Sequence, residues 1–145
     1  MRFWDSSAVV PLLVEEEVSD FLAQQAQEDP HLIVWWATSV ECCSALARLE
    51  REGSLDPSGM SAAMRQLDEL EAGWAEVQPA ERLRATAVRL LRVHQLRVAD
   101  SLQLAAAIAA AEGEPRSLPI LTLDERLAIA AQREGFPVIG PPNGP

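Results

Sequence analysis

Lysine is missing from this chain: all 12 basic residues are arginine, against 22 acidic ones, for a formal net charge of −10. Without lysine there is no Gly-x-x-x-x-Gly-Lys phosphate loop. Phosphoaspartyl hydrolases and receiver domains are disfavoured for the same reason, because they use a lysine to hold the phosphoryl group. A dinucleotide site would need glycines after the first strand, where this chain has Asp5-Ser6-Ser7. Cysteine is scarce, and Cys42 and Cys43 are adjacent. That spacing makes neither a disulfide framework nor a metal site, so both read as small core or interface residues. No apolar run is long and charge-free enough to cross a bilayer. Asp5 and the Glu15-Glu16-Glu17 run interrupt the only stretch where a secretion signal could begin. The expected location is cytoplasmic, away from membranes.

What remains is a chain that is 48% hydrophobic, enough to build a real core. One domain is expected over residues 1–140, with a loose Pro/Gly-rich tail at 141–145. Phe3-Trp4 reads as a strand, after which Ser6 or Ser7 is placed to cap a helix reaching about Val14, bent at Pro11. Leu32-Ile33-Val34 reads as a buried parallel strand. Helices are expected over 18–27, 38–52, 57–71 and 79–93, with a strand at 74–77. Val98 to Ala111 is apolar on nearly all sides after its first turn, so it should be central and buried. Strands at 119–122 and 136–139 flank a last short helix. Strands alternating with helices indicate an α/β fold: a mostly parallel sheet of four to five strands with helices on both faces.

Four acids recur at strand ends and helix starts. Asp5 closes the first strand, Glu41 lies in the first turn after the second, Asp100 opens the alanine-rich helix, and Asp124 follows the strand ending at Thr122. In a parallel sheet all four fall on the edge outside the strand carboxyl ends. Carboxylates without histidine or thiol partners suit Mg²⁺ or Mn²⁺. Four like charges brought together are costly unless a divalent cation neutralises them. Each acid also has a plainer reading. Asp5, Asp100 and Asp124 can serve as helix-start carboxylates, and Thr38-x-x-Glu41 fits a capping box. Recurrence at successive strand-to-helix edges is what favours a site over caps.

Net charge argues against a nonspecific coat protein for nucleic acid but not against a nuclease. Between Glu81 and Ala99 stand five arginines, Arg82, Arg84, Arg89, Arg92 and Arg97, and one glutamate. Such a segment can meet phosphate through bidentate forks, or can be a solvated helix face. His31 and His94 are weaker candidates for substrate contact.

The chain resembles the PIN-domain ribonucleases, in particular the small VapC-like toxins of toxin–antitoxin pairs. The resemblance rests on Phe3-Trp4-Asp5-Ser6-Ser7-Ala8-Val9-Val10, Thr38-Ser39-Val40-Glu41, Leu96-Arg97-Val98-Ala99-Asp100-Ser101-Leu102 and Leu121-Thr122-Leu123-Asp124, in the family's order across nearly the whole chain. It implies a PIN-like fold and a metal-dependent endoribonuclease whose ions, Mg²⁺ or Mn²⁺, sit on Asp5, Glu41, Asp100 and Asp124. Thr122 matches the family's hydroxyl before the last acid, and Ser6 or Ser7 the one after the first. One departure stands out: many relatives have histidine where this chain has Gln103, which can hydrogen-bond at the site margin but cannot shuttle a proton. The resemblance further implies RNA as substrate, a cognate antitoxin as partner and a homodimer. A class-different alternative is a protein-binding module of the same fold whose acids are only helix caps.

Overall fold

The computed structural model describes residues 1–142; of the tail expected at 141–145, residues 143–145 lie outside the described part. The sheet has five strands, β1 (Arg2–Trp4), β2 (Leu32–Trp35), β3 (Ala75–Val77), β4 (Ile120–Leu121) and β5 (Val138–Ile139), in the order β3-β2-β1-β4-β5. Every pairing is parallel, with Phe3 beside Ile33 on one side and Ile120 on the other. Seven α-helices accompany it among the described residues: α1 (Ser6–Val9), α2 (Ser19–Glu28), α3 (Thr38–Arg51), α4 (Pro57–Gly73), α5 (Glu81–Val93), α6 (Val98–Ala111) and α7 (Glu125–Arg133).

The period-two alternation of strand side chains divides the core into two layers. Phe3, Ile33, Trp35 and Ile120 face one side and pack with Leu83, Leu90, Leu104 and Leu127 of α5, α6 and α7. Trp4, Leu32, Val34 and Leu121 face the other and pack with Ala8, Leu22, Leu46 and Leu67 of α1 to α4. Because both faces are covered, the central strands carry unbroken apolar runs. In α6, Ala105, Ala106 and Ala107 are buried almost completely. Small side chains there let the helix lie close to the sheet.

The helix after β1 differs from the expected one. Pro11 has no amide hydrogen to continue an α-helical ladder, and α1 ends at Val9, followed by a 3₁₀ turn over Val10–Leu12. Neither Ser6 nor Ser7 is the cap; Asp5 occupies that position and makes no side-chain cap bond. Helix ends elsewhere follow local chemistry. Asp56 caps α4 by accepting from the Gly59 amide at 2.6 Å, ahead of Pro57. Gly135 takes a φ of +97°, which lets the chain leave α7 for β5.

Strand order fixes where chemistry can sit. From central β1 the chain builds outward to β2 and β3, then crosses back to β4 and β5. The crevice between the carboxyl ends of β1 and β4 is therefore the topological switch point.

Candidate active site

Asp5 is the first residue beyond β1, held by its amide donating to the Leu121 carbonyl at 3.0 Å. Its carboxylate is buried at the switch point. One oxygen, Oδ2, accepts from Ser7 Oγ at 2.5 Å and from Thr122 Oγ1 at 2.8 Å. Those hydroxyls are themselves fixed: Ser7 Oγ accepts from the Leu123 amide at 2.9 Å, and Thr122 Oγ1 from the Asp124 amide at 3.0 Å. The loops after β1 and β4 are thus tied together through one carboxylate oxygen. Oδ1 has only a long contact, 3.5 Å, from Ser6 Oγ.

Ser6 makes its short bond elsewhere, donating to Glu41 Oε2 at 2.7 Å. Glu41 also accepts from Gln103 Nε2, 3.3 Å from each oxygen, while the same amide donates to Thr38 Oγ1 at 3.1 Å. The capping-box geometry open to Thr38 and Glu41 is therefore not formed: α3 starts after Ala37 with no side-chain cap, and Glu41 turns towards Asp5's loop. Here tertiary hydrogen bonds win over a local cap.

Asp100 and Asp124 do act at helix starts, but with part of their capacity. Asp100 accepts from the Arg97 amide at 3.4 Å, half a capping box, since an arginine side chain has no acceptor to complete it. Asp124 Oδ1 accepts from the Leu127 amide at 2.9 Å. Each keeps acceptor capacity for the cleft.

The four acids line one cleft of about 590 Å³, together with Ser6, Ser7, Glu16, Ser44, Arg48 and Arg97. Its carboxylates are only partly compensated by the nearby arginines. Burial pushes Asp5 above the ordinary carboxylate range; Ser7 and Thr122 pull it back, and Asp100 and Asp124 push it up again. Glu41 is raised by burial, against the bonds from Ser6 and Gln103. Asp100 is raised by burial and then by Asp124, with the Arg97 amide, the Arg97 charge and Arg126 acting the other way. Among the described residues, no three acids converge tightly enough to chelate an ion directly. By donor type the set fits a hard divalent cation: the side chains able to ligate it are carboxylates and hydroxyls, with no imidazole or thiol.

The five arginines of the basic segment part company. Arg97 lines the acidic cleft. Arg89 is ion-paired to Glu134 at 2.8 Å. Arg84 pairs with Glu81 at the exposed start of α5, and Arg82 borders a groove between α5 and α6. Arg92 is exposed in the last turn of α5. Two cleft residues had a readable signal that went unused: Ser44 and Arg48 stand three and seven positions after Glu41, on the same face of α3. Glu16 had none, since it lies in the irregular stretch between the 3₁₀ turn and α2.

A family model described as PIN domain matches residues 2–133. The chain belongs to the PIN-domain family. Solved structures agree on the PIN fold. A sarcin–ricin-loop-cleaving VapC toxin from Mycobacterium tuberculosis superposes with a TM-score of 0.66 at 17% identity, covering 97% of this chain and 100% of the other. A toxin–antitoxin complex from Klebsiella pneumoniae gives 0.65 at 15% identity, covering 97% of each chain. FitAcB from Neisseria gonorrhoeae gives 0.64 at 18% identity, again covering 97% of each. No curated protein sequence matches the chain. Among the described residues, no helix is long and apolar enough to cross a membrane.

Proposed function

We propose that this PIN-domain protein is a metal-dependent endoribonuclease, the toxin of a toxin–antitoxin pair. The observation that carries the reading is the cleft at the β1/β4 switch point, which Asp5, Glu41, Asp100 and Asp124 line together and where nearby arginines offset the carboxylates only in part. Asp5 and Asp100 would be the central ligands for Mg²⁺ or Mn²⁺, and Glu41 and Asp124 would complete the set. The bound ion supplies Lewis acidity at the phosphate and a water nucleophile at neutral pH.

The chain's own residues orient and hold. Ser7 and Thr122 fix Asp5 Oδ2 and so aim Oδ1 into the cleft. Ser6 and Gln103 hold the Glu41 carboxylate against the same site. One of the four carboxylates takes the proton of the attacking water, and in-line attack leaves 5′-phosphate and 3′-hydroxyl ends. Arg97, with Arg48 opposite on α3, is the cleft's means of holding a phosphate.

Of the solved structures that share the fold, one is a toxin–antitoxin complex and another a sarcin–ricin-loop-cleaving toxin. That likeness supports an antitoxin partner; an RNA substrate, a homodimer and a cytoplasmic location belong to the same proposal. The rival reading, acids serving only as caps, finds some support in Asp124 and Asp100, each of which bonds a helix-start amide. It does not account for Asp5 and Glu41, whose carboxylates make no cap bond. Cleavage of labelled cellular RNA by antitoxin-free protein, with Mg²⁺ or Mn²⁺ and with EDTA, separates the two. Cuts that need metal and vanish in Asp5→Asn/Asp100→Asn protein are expected; no cutting together with no Mn²⁺ binding by calorimetry would leave the cap reading in possession.

A further inference from the structure

A second cavity opens on the same sheet edge, beside the carboxyl ends of β2 and β3. It holds about 340 Å³ and is lined by Trp35, Trp36, Pro79, Ala80, Glu81, Leu83, Arg84 and Leu102. Four of its features are unusual together. Trp36 is 49% exposed, with its ring edge-on to Trp35 at a centroid distance of 6.4 Å. Trp35 is only 5% exposed, yet its indole N–H has no acceptor. The α5 N-terminus on the rim is uncapped, because Ala80 brings no side-chain acceptor to its free amides. Arg84 stands one turn into that helix, held only by an i,i+3 pair to Glu81 in which both side chains are largely exposed. An exposed pair of that kind is readily exchanged for a phosphate.

We propose that this cavity is a nucleotide subsite: a base of single-stranded RNA stacks on Trp36, and its phosphate meets the α5 amides and Arg84. A flat ring, a freed guanidinium and a helix N-terminus suit the two halves of a nucleotide. A protein segment would find an apolar cavity of only about 340 Å³, with both charge signs on its rim. Position supports the assignment. Trp36 lies two residues before Thr38, and Leu102 lies between Asp100 of the acidic cleft and Gln103, which bonds Thr38 and Glu41. The first turns of α6 therefore separate the two cavities, and a strand crossing α6 would occupy both. As a substrate contact the subsite rests on the ribonuclease reading above; as a nucleotide site it can be tested without it.

The test is a titration of the full-length protein in EDTA with a nucleoside 5′-monophosphate, watched through the indole N–H signals of its four tryptophans in ¹H–¹⁵N NMR. Single Trp→Phe variants assign the signals. Saturable shifts of Trp35 and Trp36 are expected, with Trp4 and Trp74 unmoved and serving as fold controls. Trp36→Ala should weaken binding by roughly five- to a hundredfold, the range for losing one stacked base. Arg84→Ala should weaken the monophosphate but not the free nucleoside. Shifts spread over all four tryptophans, no shift, or affinity indifferent to both variants would overturn the subsite. So would concentration-dependent movement of the Trp36 signal without nucleotide, which would make the cavity a contact between copies of the chain. With metal removed, failure here leaves the cleavage assay untouched. A protein that binds nucleotide at Trp36 but cuts no RNA would instead sink the ribonuclease reading alone.

Discussion

Two groups of acids in this PIN domain meet opposite fates. At the far end of α7, Glu134 is enclosed by partners from the fold itself: the Arg89 guanidinium of α5 at 2.8 Å, and the buried His94 ring, whose Nε2 lies 2.7 Å away. The Arg89 hydrogen bond, with a smaller contribution from His94, holds Glu134 below its ordinary 4.5. At the β1/β4 crevice, burial and mutual repulsion raise Asp5, Glu41 and Asp100 instead, and the nearby arginines only moderate this. Where a carboxylate serves the fold, the fold supplies its counter-charge. At the crevice the fold supplies that charge only in part, and under the proposed function a metal ion supplies the rest.

The sharpest way to break the comparison is to remove charge from the crevice. Asp5→Asn should reduce RNA cleavage by at least about 100-fold, since even partners one step removed from a metal cost that much. In EDTA the same variant should melt higher than the parent, because it relieves a buried, repelled carboxylate. A variant that loses activity and melts lower would mean that Asp5 is a structural acid like Glu134.

Adding a cation is the complementary test. Mn²⁺ should raise the melting temperature of the parent by mass action on the folded state, and by far less in Asp5→Asn/Asp100→Asn protein. Calorimetric binding to both proteins with equal affinity would move the metal away from the crevice.

pH separates the two regions by sign. Asp5, Glu41 and Asp100 have folded pKa values raised above 3.8 or 4.5, so the metal-free fold binds their protons more tightly than the unfolded chain does. Their contribution to stability is full below those ordinary values and is lost as pH rises through the raised ones. Glu134 runs the other way: its contribution is present above 4.5 and lost as pH falls through its depressed folded value. Glu134→Gln should therefore cost about 1–2 kcal/mol near neutrality, through the His94 bond more than the half-exposed Arg89 pair. Its deficit should fade in acid, and cleavage should be spared. Urea melts of Glu134→Gln and Asp5→Asn from acid to neutral pH should show deviations from the parent of opposite sign. Parallel curves would dissolve the distinction.

Much of this was legible in the sequence because it follows from periodicity. The all-apolar run at Leu32, the alanine face of α6 and the acids at successive strand ends carry their own pattern, and a parallel sheet then gathers those acids on one edge. What was not legible depended on tertiary choice. Whether Glu41 folds back onto Thr38 or turns to Ser6 is decided by α1 lying against α3, with no local trace. The arginines of this segment look alike in sequence, yet Glu134 claims Arg89 of α5 while Arg97, at the start of α6, lines the cleft. Pro11 signalled a bend; that Glu16 lines the cleft was beyond any local reading.

The smallest expected effect concerns Gln103, whose Nε2 donates to Glu41 and Thr38 while its buried Oε1 has no partner. In Gln103→Leu the fold loses a buried acceptor that was unsatisfied, which is favourable, and two donor contacts, which is not. Stability should change little. Glu41 would then keep only Ser6 against burial, so its proton affinity should rise further. Metal binding should accordingly move to higher pH, and cleavage near neutrality should fall by roughly 2- to 10-fold, as expected for about one hydrogen bond. Calorimetric Mn²⁺ titrations across mildly acidic pH, with thermal melts in EDTA, read the two effects separately. If the melt drops sharply while metal binding holds, Gln103 packs α6 against α3 and does nothing for Glu41. An unchanged melt with a shifted binding profile makes it a positioning residue, one that steadies a site carboxylate without supplying its counter-charge.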